Sequence, residues 1–202
     1  MSDHFEYWFF PELERTDVPA AKLRVLEAFW SRDLLEQENN PELVLGGKEA
    51  YGPTPKLASL FTRADNLGLM DITLVTRGME VCEGFGFKGW ELNEIETLSC
   101  PKCGVIQKLD ELPIYPAIDI FHEQGKIPDI LCPLCKASSD VRGWKSEPRL
   151  TFTYLGFAFW NWVPLMGYES DGLNPAGIWS FDIPKMMAEA AKSPIAMSYG
   201  RL

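Results

Sequence analysis

Two Cys-x-x-Cys motifs constrain the fold of this 202-residue chain more than any other feature. Cys100 and Cys103 form the first pair, Cys132 and Cys135 form the second, and the 28 residues 104–131 separate them. A Cys-x-x-Cys turn presents two thiolates to one ion, and two such turns complete the tetrahedral coordination that zinc prefers. The sequence therefore predicts one zinc ion bound by all four cysteines.

The residues around the cysteines are typical of metal-binding turns. Proline follows the first cysteine of each pair and fixes φ for a turn, and Gly104 accepts the left-handed conformation that directs backbone N–H groups at sulfur. With these features, residues 98–136 resemble zinc-ribbon and zinc-knuckle modules. The resemblance implies a metal-stapled module and no particular activity. The spacer exceeds the usual 15–20 residues, so we expect an insertion between the knuckles, from Leu109 to Ile130.

Other uses of the four cysteines are less well supported by the sequence. Disulfides need an oxidising compartment, and five cysteines in 202 residues are not typical of a disulfide-dense domain. A redox-active pair needs only one Cys-x-x-Cys motif. An iron–sulfur centre and a metal-free chain remain open as alternatives. Because four cysteine ligands leave no open coordination position, the predicted zinc is structural, and no catalytic residue is assigned.

The N-terminal region has a clear order of predicted elements. The aromatic run Phe5–Phe10 predicts a strand that Pro11 ends. A helix is predicted from about Val18 to Glu38, with Thr16 and Asp17 as candidate caps. The side chains predicted to face the core from this helix are Leu23, Leu26, Trp30 and Leu34.

The remaining pattern predicts short elements. They are strands at Leu43–Leu45 and Ile72–Val75, a helix near Lys56 to Arg63, and an irregular or edge strand around Phe85, Phe87 and Trp90. The segment Glu96–Ser99 is expected to lead into the first knuckle. A long aromatic strand from Thr151 to Trp162 and a helix near Pro184 to Lys192, capped by Asp182, follow the second knuckle. This order predicts an α+β fold with a mixed or antiparallel sheet, a few helices and an inserted four-cysteine zinc ribbon. The predicted division is an acidic α+β portion at 1–97, the zinc-ribbon insert at 98–140, and a portion at 141–202 that completes the first.

Composition favours a cytoplasmic protein with no membrane span. Residues 150–168 carry no charge, but Asn161, Pro164 and two threonines interrupt the stretch, and a strand buried on both faces explains it better than a membrane helix. The N-terminus has neither the basic region nor the apolar region of a secretory signal. Reduced thiols that bind a metal are also consistent with the cytoplasm.

The net charge of −10 is concentrated in the N-terminal half. Residues 1–99 contain 18 acidic and 9 basic side chains, whereas residues 100–149 contain seven of each. Nucleic-acid binding depends on Lys and Arg that displace condensed counterions, so the charge pattern argues against a nucleic-acid partner. An acidic surface instead attracts a basic protein and speeds its association.

Four further residues have a possible role. The histidines, His4 and His122, are expected to be solvated, with His122 a metal ligand only if one cysteine is not. Cys82 has no predicted base to activate it and is expected to be a small buried residue. The tryptophans are predicted to lie in the core, except Trp144, whose neighbours Arg142 and Lys145 suggest exposure.

These observations predict a zinc-stabilised, acidic, cytoplasmic binding protein rather than an enzyme. Inhibitors of basic toxins, including bacterial immunity proteins, have a similar size and charge, which makes an immunity-type function our leading interpretation. The alternatives are an enzyme with an acidic and aromatic pocket that no motif reveals, and a zinc-ribbon protein associated with nucleic acid.

Overall fold

The computed structural model describes residues 4–45, 47–59, 76–83, 95–146, 150, 152–162 and 182–201. The chain divides into two compact units, residues 1–83 with 155–202 and residues 84–154. The predicted division at residues 98 and 140 stays a prediction. Among the described residues, the strands are β1 His4–Phe9, β2 Ala50–Tyr51, β3 Met79–Glu83, β4 Thr97–Ser99, β5 Ile106–Lys108, β6 Asp129–Leu131, β7 Ser138–Asp140, β8 Leu155–Trp160 and β9 Ala196–Arg201. The helices are α1 Val18–Trp30, α2 Pro55–Ser59, α3 Ile114–Gln124 and α4 Ile183–Ala191.

The first unit contains a five-stranded antiparallel sheet in the order β2-β3-β8-β1-β9. The central strand β8 is buried at all six positions, which explains its unbroken apolar sequence. It is shorter than the predicted strand from Thr151 to Trp162. At its end Asn161 adopts a left-handed φ of 53° and its side-chain amide donates to the carbonyl oxygen of Thr76. The α+β class and the antiparallel sheet are confirmed.

Both faces of this sheet are buried against other parts of the unit. On one face, the rings of Phe29 in α1 and Phe159 in β8 lie 6.2 Å apart. The opposite face contributes an aromatic cluster that includes Phe5, Tyr7 and Trp160. Because both faces are buried, aromatic residues occur at successive positions of β1 and β8. In a sheet with one solvent-exposed face, polar and apolar side chains would alternate.

Helix α1 ends eight residues before its predicted end at Glu38. The helix stops because Asp33 takes a left-handed φ of 56° and the N–H of Leu34 donates back to Phe29. The next residues then pair with a distant segment, since the N–H of Glu36 donates to Gly52. This long-range pairing replaces the hydrogen bonds that a continued helix would form.

The buried face of α1 also differs from the prediction. Leu23 is 50% exposed, and the buried residues of the helix are Val18, Ala21, Val25, Leu26 and Phe29. Helix α4 packs against α1, and the guanidinium of Arg24 donates to the last carbonyls of α4, those of Ala190 at 2.7 Å and Ala191 at 3.0 Å. These hydrogen bonds satisfy carbonyls that lack partners at a helix end.

The shorter predictions have mixed outcomes. The strand at Leu43–Leu45 is wrong, because Pro41–Leu43 forms a 3₁₀ turn, and the side chain of Asn40 caps it by accepting from the N–H of Glu42. The C-terminal helix is confirmed, and Asp182 caps it by accepting from the N–H of Lys185. Helix α2 covers the described start of the helix near Lys56. The predicted strand at 72–75 and the irregular strand at 85–90 lie outside the described residues.

The described residues of the second unit form two short hairpins, α3 and the 3₁₀ turns Leu109–Glu111 and Val141–Gly143. Strand β4 pairs with β5, and β6 pairs with β7. Phe121 of α3 is fully buried, and its ring lies 5.4 Å from Phe152 and 5.7 Å from Tyr154. In the part of the chain that the structure describes, none of the helices has the length and apolar character needed to span a membrane.

Candidate metal centre

The first knuckle is the loop that joins β4 to β5. The N–H of Cys100 donates to Val105 at 2.9 Å, and the N–H of Gly104 donates back to Cys100 at 2.9 Å. Gly104 has a φ of 72°, which a residue without Cβ adopts at little cost. The Pro-Lys pair between the cysteines therefore forms a tight turn that places both sulfurs on one side.

The second knuckle repeats this geometry between β6 and β7. The N–H of Cys132 donates to Ala137 at 2.9 Å, and the N–H of Lys136 donates back to Cys132 at 3.0 Å. Lys136 takes the left-handed position, with a φ of 59°, that Gly104 takes in the first knuckle. Two equivalent turns thus arise from sequences that share only the Cys-Pro-x-Cys pattern.

The four sulfurs of the knuckles converge on one point. Their Sγ atoms all lie within 4.8 Å of one another, and among the described residues this group consists of the four cysteines alone. Cys103 Sγ lies 3.8 Å from Cys132 Sγ, and Cys100 Sγ lies 4.0 Å from Cys135 Sγ. A tetrahedral ion with metal–sulfur bonds of about 2.3 Å requires sulfur separations of about 3.8 Å. The arrangement therefore fits a single tetrahedral ion.

The distances between the sulfurs also test the alternatives to zinc, namely disulfides and an iron–sulfur centre. A disulfide needs a sulfur separation of about 2.05 Å, so the cysteines are free thiols in this arrangement. A multi-iron cluster holds inorganic sulfide between its irons and needs thiolates farther apart than those around one ion. Zinc and a single iron ion fit the four sulfurs equally well on distance alone.

Backbone N–H groups supply the local electrostatics. The N–H of Lys102 donates to Cys100 Sγ at 3.4 Å. The N–H groups of Cys135 and Leu134 point at Cys132 and, against the effect of desolvation, lower the pKa of Cys132 to about 7. The N–H of Val105 lowers the pKa of Cys103, but desolvation and the adjacent thiols outweigh it and raise that pKa to about 11.

A bound cation would remove this difference between the sulfurs. Without a cation, ionisation of one thiol disfavours ionisation of its neighbours, since like charges repel. A metal ion favours the thiolate form at all four positions, and the N–H groups directed at sulfur help to stabilise that charge. The donor set is therefore suited to a cation with a preference for sulfur.

Burial distinguishes the two cysteines of each knuckle. Cys100 is 2% exposed and Cys132 is inaccessible, whereas Cys103 and Cys135 are exposed. The centre thus has a covered side and an open side. The spacing of the cysteines contains no signal for this asymmetry.

The other candidate residues are not members of the cysteine group. His122 is exposed on α3, and Cys82 is buried on β3 in the other unit, as expected. The prediction for Trp144 is wrong, since it is only 2% exposed. Its position is set by Lys145, whose backbone pairs with Ser99 of β4 through hydrogen bonds of 2.8 and 3.2 Å and so draws the preceding indole into the unit.

Sequence reasoning missed two buried carboxylates in the sheet. Glu6 accepts a hydrogen bond from the indole of Trp8 at 3.1 Å, and Glu80 accepts one from the indole of Trp160 at 2.9 Å. Both glutamates are at most 6% exposed. The alternation of side chains along an aromatic strand does not predict that an acidic residue within it is buried. These indole contacts give the carboxylates a role in packing the sheet.

Sequence reasoning also missed an open groove at the end of the β4–β5 hairpin. Its volume is about 370 Å³, and it is lined by Glu96, Thr97, Lys108, Leu109, Asp110 and Tyr115. Carboxylates and an aromatic ring line this groove. The enzyme alternative assumes a pocket of this composition. Glu96 and Asp110 bring negative charge, and Lys108 partly offsets it.

No family model, curated protein or solved structure with which the chain was compared is similar enough to count as a match. The metal centre is therefore supported by the sulfur geometry and the backbone hydrogen bonds of the chain itself.

Proposed function

We propose that this chain is a zinc-stabilised binding protein that recognises a basic protein partner. The observation that carries the metal assignment is the pair of equivalent knuckles whose four Sγ atoms lie within 4.8 Å of one another. The partner assignment depends on charge and is tested separately below.

A structural role for the ion follows from the size of the hairpins. Each hairpin pairs only three residues per strand, and an isolated two-stranded hairpin is marginally stable at best. One ion would link both hairpins, so its binding energy is also folding energy, about 10–16 kcal/mol for structural zinc in small peptides. Four thiolates also leave no position for a reactive water.

The proposed contact surface is the acidic segment, defined as residues 27–42. It contains five acidic side chains and one basic side chain, that of Arg32. Glu27, Asp33, Glu36 and Glu38 are all exposed. Such a surface attracts a positively charged partner before contact and raises the association rate. These properties suit an inhibitor of a basic toxin, as in an immunity-type protein, acting in the cytoplasm where thiols stay reduced.

The metal assignment is tested by elemental analysis of the purified protein. We expect about one zinc per chain, and cobalt in its place should give the absorption of four sulfur ligands. Cys103→Ser should release the ion, whereas the matched Cys82→Ser should not, because Cys82 lies outside the cysteine group. Iron in place of zinc, or loss of metal in both variants, would contradict the assignment.

The partner assignment is tested by association kinetics at low and physiological salt. Reversing the charge of Glu27, Asp33, Glu36 and Glu38 to Lys should slow association with a captured basic protein, because the attraction becomes a repulsion. The effect should be larger at low salt, since the Debye length of about 8 Å at physiological salt screens exposed charges. Reversal of four exposed acids of the second unit, Glu111, Asp119, Glu123 and Asp129, is the matched control. An unrelated basic protein measures non-specific attraction. Equal effects of both sets of reversals would refute the role of the acidic segment.

A polynucleotide-binding assay separates the nucleic-acid alternative from this proposal. Binding of DNA or RNA by the protein, with affinity that falls as salt rises, would favour the alternative. We expect no such binding, because residues 100–149 contain equal numbers of acidic and basic side chains.

A further inference from the structure

Each knuckle contains one exposed and one buried cysteine, and the exposed sulfur of one knuckle lies beside the buried sulfur of the other. Exposed Cys103 is 3.8 Å from buried Cys132, and exposed Cys135 is 4.0 Å from buried Cys100. The two contacts use each cysteine once. Both of them connect one hairpin to the other.

We propose that hydrogen peroxide converts the metal centre into two disulfides between the hairpins, Cys103–Cys132 and Cys100–Cys135, and releases the ion. Ion release rests on the proposed function, whereas the pairing of the sulfurs follows from their positions alone. The two hairpins then stay joined, because covalent bonds connect the same loops that the ion connected. The metal centre is on this view also a site of reversible oxidation.

The chemistry of each disulfide takes two steps. The exposed thiolate attacks one oxygen of the peroxide, the O–O bond breaks, and a sulfenic acid and a hydroxide form. The adjacent buried thiolate attacks the sulfur of the sulfenic acid, the S–O bond breaks, and a second hydroxide leaves as the S–S bond forms. Two protons from solvent convert the hydroxides to water. One peroxide thus oxidises two thiolates, and two peroxides remove all four ligands of the ion.

The geometry favours a disulfide over further oxidation. Closure to about 2.05 Å requires the sulfurs to approach by about 1.8–2.0 Å, which side-chain rotation and a small shift of the hairpins can supply. A sulfenic acid without a nearby thiolate reacts with more peroxide and forms sulfinic acid irreversibly. Here the buried partner is close enough to react first. Reduction would then regenerate the thiolates, and the site could bind zinc again.

The first test treats the zinc-loaded protein with hydrogen peroxide. A chromophoric chelator should report release of about one ion per chain. Thiol titration of the denatured protein should fall from five thiols to one, that of Cys82. Sulfinic acid at the exposed cysteines without disulfides would overturn the proposal.

Four cysteines allow three pairings, and a tryptic digest first separates pairing between the hairpins from pairing within each knuckle. Cleavage after Lys102 separates the first two cysteines into peptides 89–102 and 103–108, while peptide 127–136 contains both cysteines of the second knuckle. Either pairing between the hairpins predicts one assembly of all three peptides. Backbone fragmentation of peptide 127–136 between Cys132 and Cys135 then shows which peptide is attached to each cysteine, and peptide 89–102 attached to Cys132 would overturn the proposal. Disulfides within the knuckles would instead link 89–102 to 103–108 and leave 127–136 as a separate peptide with an internal bond, which would overturn the proposal.

Two matched double variants test the role of exposure. Cys100→Ser with Cys135→Ser keeps the proposed pair of exposed Cys103 and buried Cys132. Cys103→Ser with Cys135→Ser keeps two buried cysteines, Cys100 and Cys132. Because an oxidant reaches an exposed sulfur more readily, the first variant should form its disulfide at least about tenfold faster. Equal rates would overturn the proposal.

The same digest separates this proposal from the proposed function. If the purified protein contains no metal, the zinc assignment fails, but the metal-free protein still yields either the three-peptide assembly or the separate peptide 127–136 on oxidation. The first result, with peptide 103–108 attached to Cys132, supports the pairing, and the second refutes it. Loss of zinc and the pattern of disulfides are thus measured independently.

Discussion

The left-handed residue of each knuckle offers a quantitative test of the metal centre. Gly104 and Lys136 occupy equivalent positions with φ of 72° and 59°. A side chain in this conformation costs roughly 1–2 kcal/mol, whereas a glycine costs about 0.4–1 kcal/mol more conformational entropy on folding. The net effect of Gly104→Ala should therefore be a loss of about 1 kcal/mol. Lys136→Gly should be neutral or stabilising by up to about 1 kcal/mol by the same reasoning.

Zinc affinity should report this strain because metal binding is coupled to formation of the knuckles. A change of about 1 kcal/mol corresponds to about fivefold in the dissociation constant. Gly104→Ala should weaken zinc binding about fivefold, and Lys136→Gly should leave it unchanged or tighten it by up to the same factor. Competition with a chelator of known affinity measures both changes in zinc affinity. Denaturant unfolding of the metal-free protein measures any part of the free-energy change that does not depend on zinc.

The matched control for the knuckle variants is Gly143→Ala. Gly143 has no left-handed φ, and a Cβ there would meet only Pro101 at 3.6 Å, which is ordinary contact. This variant should leave zinc affinity unchanged. If Gly104→Ala alters neither zinc affinity nor stability, or if Gly143→Ala alters both equally, the proposed knuckle geometry is refuted.

Three other predictions concern stability and its pH dependence. A Cβ at Gly156 would lie 2.4 Å from ring atoms of buried Tyr7, so Gly156→Ala should cost about 1–3 kcal/mol in denaturant unfolding, and much less in a Tyr7→Leu background. Burial and a hydrogen bond to Glu49 raise the pKa of Tyr51 to about 12. Because the folded state favours the neutral phenol, the contribution of Tyr51 to the free energy of unfolding is fully present below about pH 10, its unfolded pKa, and is lost as pH rises through 12. Tyr51→Phe should therefore flatten the fall in stability between these values by up to about 1.4 kcal/mol per pH unit, and an unchanged slope would contradict this. Trp144 has a buried indole N–H with no hydrogen-bond partner among the described residues. Trp144→Phe should change unfolding stability by less than about 1 kcal/mol, whereas Trp144→Ala should cost about 3–5 kcal/mol, and equal costs would contradict this.

The cysteine group was predictable because its signal is local. Cys-Pro-x-Cys specifies a turn within four residues, and two such turns have one common use in a reduced protein. The structure brings all four sulfurs together as that signal implies. The burial of Cys100 and Cys132 was not predictable, because it depends on how the two hairpins and α3 pack.

Helix α1 shows why element boundaries were harder to predict. The apolar spacing of Leu26, Trp30 and Leu34 suggested one continuous helix, and Asn39 offered a plausible stop. Leu34 is indeed buried, but it reaches the core by reversing the chain after Trp30. Periodicity identifies a residue as buried without specifying whether a helix or a reversed chain buries it.

Trp144 illustrates the opposite failure, in which charged neighbours masked a buried residue. Its flanking residues Arg142 and Lys145 suggested exposure, yet the backbone of Lys145 pairs with Ser99. The pairing joins residues 46 positions apart in sequence, and no local pattern encodes it. The same limit applies to the groove at the end of the β4–β5 hairpin, whose lining comes from three separate segments.

The separation of acidic segment and metal centre gives a final prediction. The acidic segment, residues 27–42, belongs to the unit built on the five-stranded sheet, whereas all four cysteines belong to the other unit. Removal of zinc should therefore loosen residues 95–146 and leave the sheet intact. Hydrogen exchange should show faster exchange in that range but unchanged protection in β1 and α1.

If the acidic segment binds the basic partner, the zinc-stripped protein should keep its salt-dependent association rate, and restored zinc should recover only the protection of residues 95–146. A metal-stripped protein that keeps β1 and α1 protected but no longer binds would place the partner contact in the second unit, residues 84–154. The exposed knuckle residues Leu131 and Leu134 would then be the first candidates for that contact, since large apolar side chains exposed together commonly mark interaction surfaces.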